Sequence, residues 1–186
     1  MMKVIFLDID GVLNTKYWNS PKEKDQYGHT FDPKAVANLA TIVEKTGAEI
    51  VISSSWKCLG LAELQQMWKD RKVPGKVIDI TPNTISDEML LNVNSDEMDL
   101  GACRGNEIKE WLSKHGREVS NYVIIDDLDD LLPEHNSHFV CTDPNVGITE
   151  WDAMKAIAIL NAGPDKDFVT IIRELEMENK TAQKTL

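Results

Sequence analysis

The sequence predicts a single α/β domain, a doubly wound parallel sheet covered by helices on both faces. Three observations carry that expectation. Short runs rich in Val and Ile alternate with longer segments whose apolar residues recur at helical spacing. The strand-like runs are apolar throughout rather than at every second residue, which marks strands buried on both faces. At 186 residues, 42% hydrophobic and 27% charged, the chain has the length and composition of one globular core.

The first strand is KVIFL, residues 3–7. Residues 15–32 are polar, contain Pro21 and Gly28, and read as a loop. Asp32 can cap a helix, Pro33 fits its first turn and Gly47 ends it, with Val36, Leu39, Ala40 and Val43 as its apolar stripe. A strand from Glu49 to Ile52 follows directly. Leu61, Leu64 and Trp68 mark a second helix, and KVIDI at 76–80 a third strand. Ile108, Trp111, Leu112 and His115 stripe a helix that Gly116 closes. NYVII at 121–125 and HFVCT at 138–142 are the fourth and fifth strands. Ala153, Ala156, Ile157 and Leu160 give a further helix. Phe168, Ile171, Ile172 and Leu175 give a last one, whose stripe either covers a sheet face or pairs two subunits. Residues 1–163 are therefore expected to form one globular domain, and 164–186 a C-terminal helix and tail.

Composition narrows the function classes. The formal net charge of −11 opposes non-specific attraction to phosphate backbones, so a polyanionic substrate must be met by a few placed cations or a metal ion. No apolar stretch approaches the ~20 residues of a membrane span, and MMKVIFLDID meets two acids too early for a signal peptide, so a cytoplasmic location is expected. Cys58, Cys103 and Cys141 are few and widely spaced, as for reduced, partly buried thiols rather than a disulfide or zinc framework. His135 and His138, in the loop-like PEHNSH, read as ordinary surface histidines.

In such a sheet, ligands bind outside the carboxyl ends of the strands. The first strand ends in Asp8, with Asp10 beyond it; the second in Ser53, Ser54 and Ser55; the fourth in Asp126 and Asp127. Crowded carboxylates repel unless a cation neutralises them, and magnesium suits the task, since it takes oxygen ligands and keeps room for phosphate. Gly11 permits a tight reversal that returns Asp10 towards the crevice. Asp129 and Asp130 of DDLDD read as the start of a following helix.

These motifs resemble the haloacid dehalogenase (HAD) superfamily, most of whose members are magnesium-dependent phosphohydrolases. The carriers are FLDIDGVL, the Ser53 that closes IVISSSW, Arg104 in CRGNEIKEWL, and the acidic pair Asp126-Asp127. The resemblance implies a three-layer Rossmann-like core. It also implies a phosphatase with Asp8 as the nucleophile forming a phosphoaspartate and Asp10 as general acid and then base. Phosphate would be held by Ser53, by Ser54 and Gly11, and by Arg104. Magnesium would be held by Asp8, by Asp10 through its carbonyl, and by the pair, in which Asp127 coordinates while Asp126 holds a water of the ion's shell or orients Arg104. Lys57 and Lys109 are weaker rivals to Arg104. Trp56, Trp68 and Trp111 read as core, and Trp18 as an anchor of its loop.

Residues 15–32 and 81–102 are too short for a separate cap domain, so a minimal cap and an open site are expected. The expected partner is then a phosphorylated substrate of accessible or large kind: a nucleic-acid end, a phosphoprotein or a nucleotide. The small stand-alone domains of similar type that occur in RNA-repair proteins point to end phosphates, which the acidic charge disfavours. The alternatives are a catalytically silent phosphate- or metal-binding domain, a receiver-like phosphoacceptor, and a metal-only phosphoesterase. The receiver pattern fits poorly, because it needs its acceptor after the third strand, whereas Asp79 lies inside KVIDI.

Overall fold

The computed structural model describes residues 1–18, 24–83, 103–162, 170, 173–175 and 177. The expected short cap segment, the Cys103 side chain, and the stripe residues Phe168, Ile171 and Ile172 lie outside the described residues, as does most of 164–186.

Five strands form a parallel sheet in the order β5-β4-β1-β6-β7. They are β1 (Met2–Leu7), β4 (Glu49–Ile52), β5 (Val77–Ile80), β6 (Val119–Asp126) and β7 (Phe139–Cys141). β1 is central: Leu7 pairs with Ile52 on one side and Ile125 on the other. The chain winds outward from β1 through β4 to β5, then returns to the far side of β1 for β6 and β7. The winding therefore reverses between β1 and β6, where ligand crevices open in such sheets.

Alternation along β1 separates two cores. Ile5 and Leu7 join the larger one with α1 (Pro33–Thr46), α2 (Leu61–Asp70) and α4 (Glu150–Asn161). Val4 and Phe6 join the smaller one with Ile108 and Trp111 of α3 (Cys103–His115). Because both faces are covered, the strands need apolar residues throughout. Phe6 is fully buried with its ring edge-on to Trp111, centroids 5.3 Å apart, and to Tyr122 at 5.7 Å.

Asp32 caps α1, accepting the N–H of Lys34, and Gly47 closes it with its own N–H on the Val43 carbonyl. The buried line of α1 is Ala35, Leu39 and Ile42, with Val36 and Val43 flanking it, so the stripe expected from sequence lies slightly to one side of the true one.

Other expectations are corrected. The polar stretch 15–32 contains a small hairpin, β2 (Lys24–Asp25) against β3 (Gly28–His29). It is latched to the end of α2, where Arg71 donates twice to Asp25, both at 2.8 Å, and the Tyr27 hydroxyl donates to Asp70. His135 is buried, not superficial: it bridges the Tyr122 hydroxyl and the Gly105 carbonyl, both at 3.1 Å. His138 stacks on Tyr122 with centroids 4.0 Å apart. Cys58 and Cys141 are exposed rather than partly buried, and both are free thiols. Trp18 does anchor its loop, through its indole N–H on Thr30.

Candidate active site

The carboxyl ends of β1, β4 and β6 bring the candidate residues together. Asp8 follows β1 directly, its backbone N–H on the Ile125 carbonyl, and the residue is 6% exposed. Ser53 follows β4, its N–H on the Leu7 carbonyl. Asp126 ends β6 at 2% exposure, and its carboxylate accepts the N–H of Leu128. Adjacent parallel strands carry these three residues to one level because their registers match.

One oxygen each from Asp8, Asp126 and Asp127 lies within 4.8 Å of the others. Burial pushes Asp8 up to about 6, against the lowering pull of the Arg104 guanidinium and the Ser54 hydroxyl. Burial, followed by the charge of Asp8, pushes Asp126 up to about 7. Asp127 is raised as well, mainly by burial. Three carboxyl groups raised together are a set that a cation would relieve. Their hard oxygen donors fit a magnesium ion, with room in its shell for water and phosphate.

Arg104 stands beside this group, with Nη1 3.2 Å from Asp8 and Nε 3.6 Å from Asp126. The start of α3 is fixed from outside the helix. Asp130 accepts the Arg104 backbone N–H on its carboxylate and the Gly105 N–H on its carbonyl. A Cβ on Gly105 would stand 2.5 Å from the Leu132 nitrogen, so glycine lets that loop close against the helix. Asp130 therefore caps α3 across the fold, rather than opening a helix after β6 as its sequence position suggests. The rival cations are engaged elsewhere: Lys57 with Glu107 at 2.6 Å, and Lys109 with Glu134 at 3.1 Å.

Ser53 is 1% exposed, and its hydroxyl has no partner among the described residues, as expected of a donor reserved for a ligand. Ser54 caps the short 3₁₀ helix Ser55–Leu59, its hydroxyl accepting the Trp56 N–H. Gly11 takes φ +73°, and a Cβ there would press into the Asp127 carboxylate. Its N–H is engaged by the Asn14 carbonyl at 2.8 Å, so what glycine contributes here is space for Asp127.

Asp10 sits apart from the three clustered carboxyls, exposed at the rim. Asn14 donates to one of its oxygens at 2.6 Å and the Trp56 indole to the other at 2.9 Å. Sequence reading placed Trp56 in the core and gave Asn14 no role; a donor 46 residues away leaves no periodic signal. Asp79, the position nearest a receiver-type acceptor, has its carboxylate on the Trp111 indole at 2.7 Å.

Among the described residues no helix is long and apolar enough to cross a membrane. A search of curated proteins finds no significant match. Residues 4–153 match the family described as the HAD domain in Swiss Army Knife RNA repair proteins, and the chain belongs to that family within the HAD superfamily.

Proposed function

We propose that the chain is a magnesium-dependent phosphomonoester hydrolase that works through a phosphoaspartate on Asp8. Family membership supports phosphohydrolase-type chemistry in general. The observation that carries the finer reading is the Asp8, Asp126 and Asp127 cluster faced by Arg104, with the unpartnered Ser53 hydroxyl on the neighbouring strand end.

Asp8, Asp126 and Asp127 would hold the ion, with the Asp10 carbonyl as the family resemblance implies. Once bound, it offsets the carboxylate charge and polarises a phosphoryl oxygen. In the first step an Asp8 oxygen bonds to phosphorus, the bond from phosphorus to the leaving oxygen breaks, and Asp10 gives that oxygen its proton. In the second step a water oxygen bonds to phosphorus while its proton passes to Asp10. The bond to Asp8 breaks and phosphate leaves. Arg104 and Ser53 donate to the phosphoryl oxygens, where charge is spread in the transition state.

The substrate in this reading is accessible rather than enclosed, since neither stretch after the first two motifs has the length of a cap domain. The family's description favours a nucleic-acid end over a phosphoprotein or free nucleotide. With a net charge of −11, recognition then rests on the terminal phosphate and not on tracking a strand. A cytoplasmic location belongs to the same proposal.

The test is hydrolysis of 4-nitrophenyl phosphate with magnesium and with chelator, for wild type, Asp8→Asn and Asp10→Asn. Magnesium-dependent turnover that Asp8→Asn abolishes is expected. Undiminished turnover in chelator, or in Asp8→Asn, would overturn the scheme.

A further inference from the structure

The Asp10 carboxylate is exposed and lies on a loop, so its rotamer has no packing to fix it. An exposed carboxylate ordinarily samples several staggered positions, and most of these aim its oxygens away from a reacting phosphoryl group. Here each oxygen meets one directed N–H donor. Each keeps a second lone pair free for proton transfer.

Both donors are held in turn. Asn14 is buried and folded back on Asp10 by a tight turn, in which its own N–H reaches the Ile9 carbonyl at 2.9 Å. Trp56 lies in the first turn of the 3₁₀ helix Ser55–Leu59, directly after Ser53 and Ser54, so the strand end that presents Ser53 also sets the indole. Its ring packs near Phe31, centroids 6.3 Å apart. The Arg71 guanidinium lies 4.3 Å from the Phe31 ring centroid and 5.7 Å from that of Trp56. Arg71 is itself fixed by its double hydrogen bond to Asp25. The latch between the β2–β3 hairpin and α2 thus ends, through one aromatic layer, at the Asp10 carboxylate.

We propose that Trp56 and Asn14 are positioning residues that fix the Asp10 carboxylate for proton transfer to the leaving group and from water. The inference rests on the function proposed above. It goes beyond that function by assigning specific work to a tryptophan on the second-motif loop. Neither residue touches substrate in this scheme, and both act through Asp10.

Leaving-group dependence tests this. An alkyl phosphate such as ethyl phosphate needs its leaving oxygen protonated, whereas 4-nitrophenolate leaves readily without help. Trp56→Phe removes the N–H and keeps a ring against Phe31 and Arg71. Its kcat/KM for ethyl phosphate is expected to fall about ten- to a hundredfold, the effect of one lost hydrogen bond to a charged group. Its kcat/KM for 4-nitrophenyl phosphate should stay within about threefold of wild type, because that ratio reports only the first displacement. Steady-state turnover of the aryl ester should slow after a burst, as water activation becomes limiting. Asn14→Ala should show the same split. An activity-independent readout is the Trp56 indole N–H resonance, which should shift in Asp10→Ala.

Equal losses on both esters would show a merely structural role and overturn the proposal, as would an unmoved indole resonance. If Asp8→Asn is inactive while Trp56→Phe turns over both esters at wild-type rates, this inference falls and the proposed function stands. If Asp8→Asn stays active, both fall.

Discussion

Replacing Gly11 by alanine separates two effects that glycine usually combines. The first is backbone strain: at φ +73° an L-residue is disfavoured by about 1–2 kcal/mol. The second is displacement, since the new Cβ would lie 2.5 Å from Oδ2 of Asp127. A carbon and an oxygen in ordinary contact stand about 3.3 Å apart or more, so the carboxylate must withdraw by roughly 1 Å. Misplacement on that scale costs about a hundredfold in rate, and perturbing a ligand's setting costs about 10–100-fold in metal affinity. Gly47 supplies the control: its φ is +66°, yet nothing lies within 4 Å of a Cβ built there. Gly47→Ala should therefore lose the same 1–2 kcal/mol in denaturant unfolding and keep its magnesium affinity. Gly11→Ala should lose both stability and affinity, the latter read by calorimetric titration. Equal magnesium affinity in the two variants would refute the reasoning, because Asp127 would then not be held where Gly11 leaves room for it.

Further outcomes follow from the same geometry. Asp126 is raised in the folded state from 3.8 to about 7, so the metal-free fold binds its proton more tightly than the unfolded chain does. Its contribution to stability is therefore fully present below about pH 4 and is lost as pH rises through about 7. In chelator, Asp126→Asn should be more stable than wild type at pH 8 and lose that advantage progressively down to about pH 4; an advantage that grows towards acid would contradict the assignment. Arg104→Met removes the cation facing Asp8 and Asp126 and should cost about 3 kcal/mol in chelator at pH 8, with part of the loss restored by magnesium. A loss that magnesium leaves unchanged would place Arg104 outside the acidic cluster. Phe6→Ala empties the contact between Trp111 and Tyr122 and should cost about 3–5 kcal/mol, lowering Tm by roughly 10 °C. A loss below ~1 kcal/mol would mean that the smaller core is loosely packed.

The strands and the polar residues that end them were legible because each is a local signal. Val4 to Leu7 are apolar on both faces, and the acid that follows them has no place in a core strand. The same logic marked Ser53 and Asp126, and one sheet direction then forces all three strand ends to one side. Arg104 was legible through its place at the start of α3.

What stayed hidden depends on partners distant in sequence. The hairpin at Lys24–His29 is only two residues per strand and is held by Arg71 and Asp70, which no pattern within 15–32 announces. Asp130 looked like a helix start after β6 because the residues around it are polar; its backbone partner lies 26 residues earlier. His135 looked superficial because Pro, Glu, Asn and Ser surround it, yet the fold encloses it between Tyr122 and Gly105. The indole of Trp56 was legible as bulk and not as a donor. Tryptophan packs by area, and its single N–H acquires meaning only when an acceptor such as Asp10 is in place.

The central claim is that Asp8 carries the phosphoryl group. Its most direct test is rapid acid quenching of wild type, Asp8→Asn and Asp10→Asn during turnover of 4-nitrophenyl phosphate with magnesium, followed by peptide mass spectrometry. The account predicts one phosphoryl group on the peptide containing Asp8, accumulating in Asp10→Asn, where the second step is slowed, and absent from Asp8→Asn. Sustained hydrolysis with no phosphorylated Asp8 peptide in any of the three proteins would contradict it.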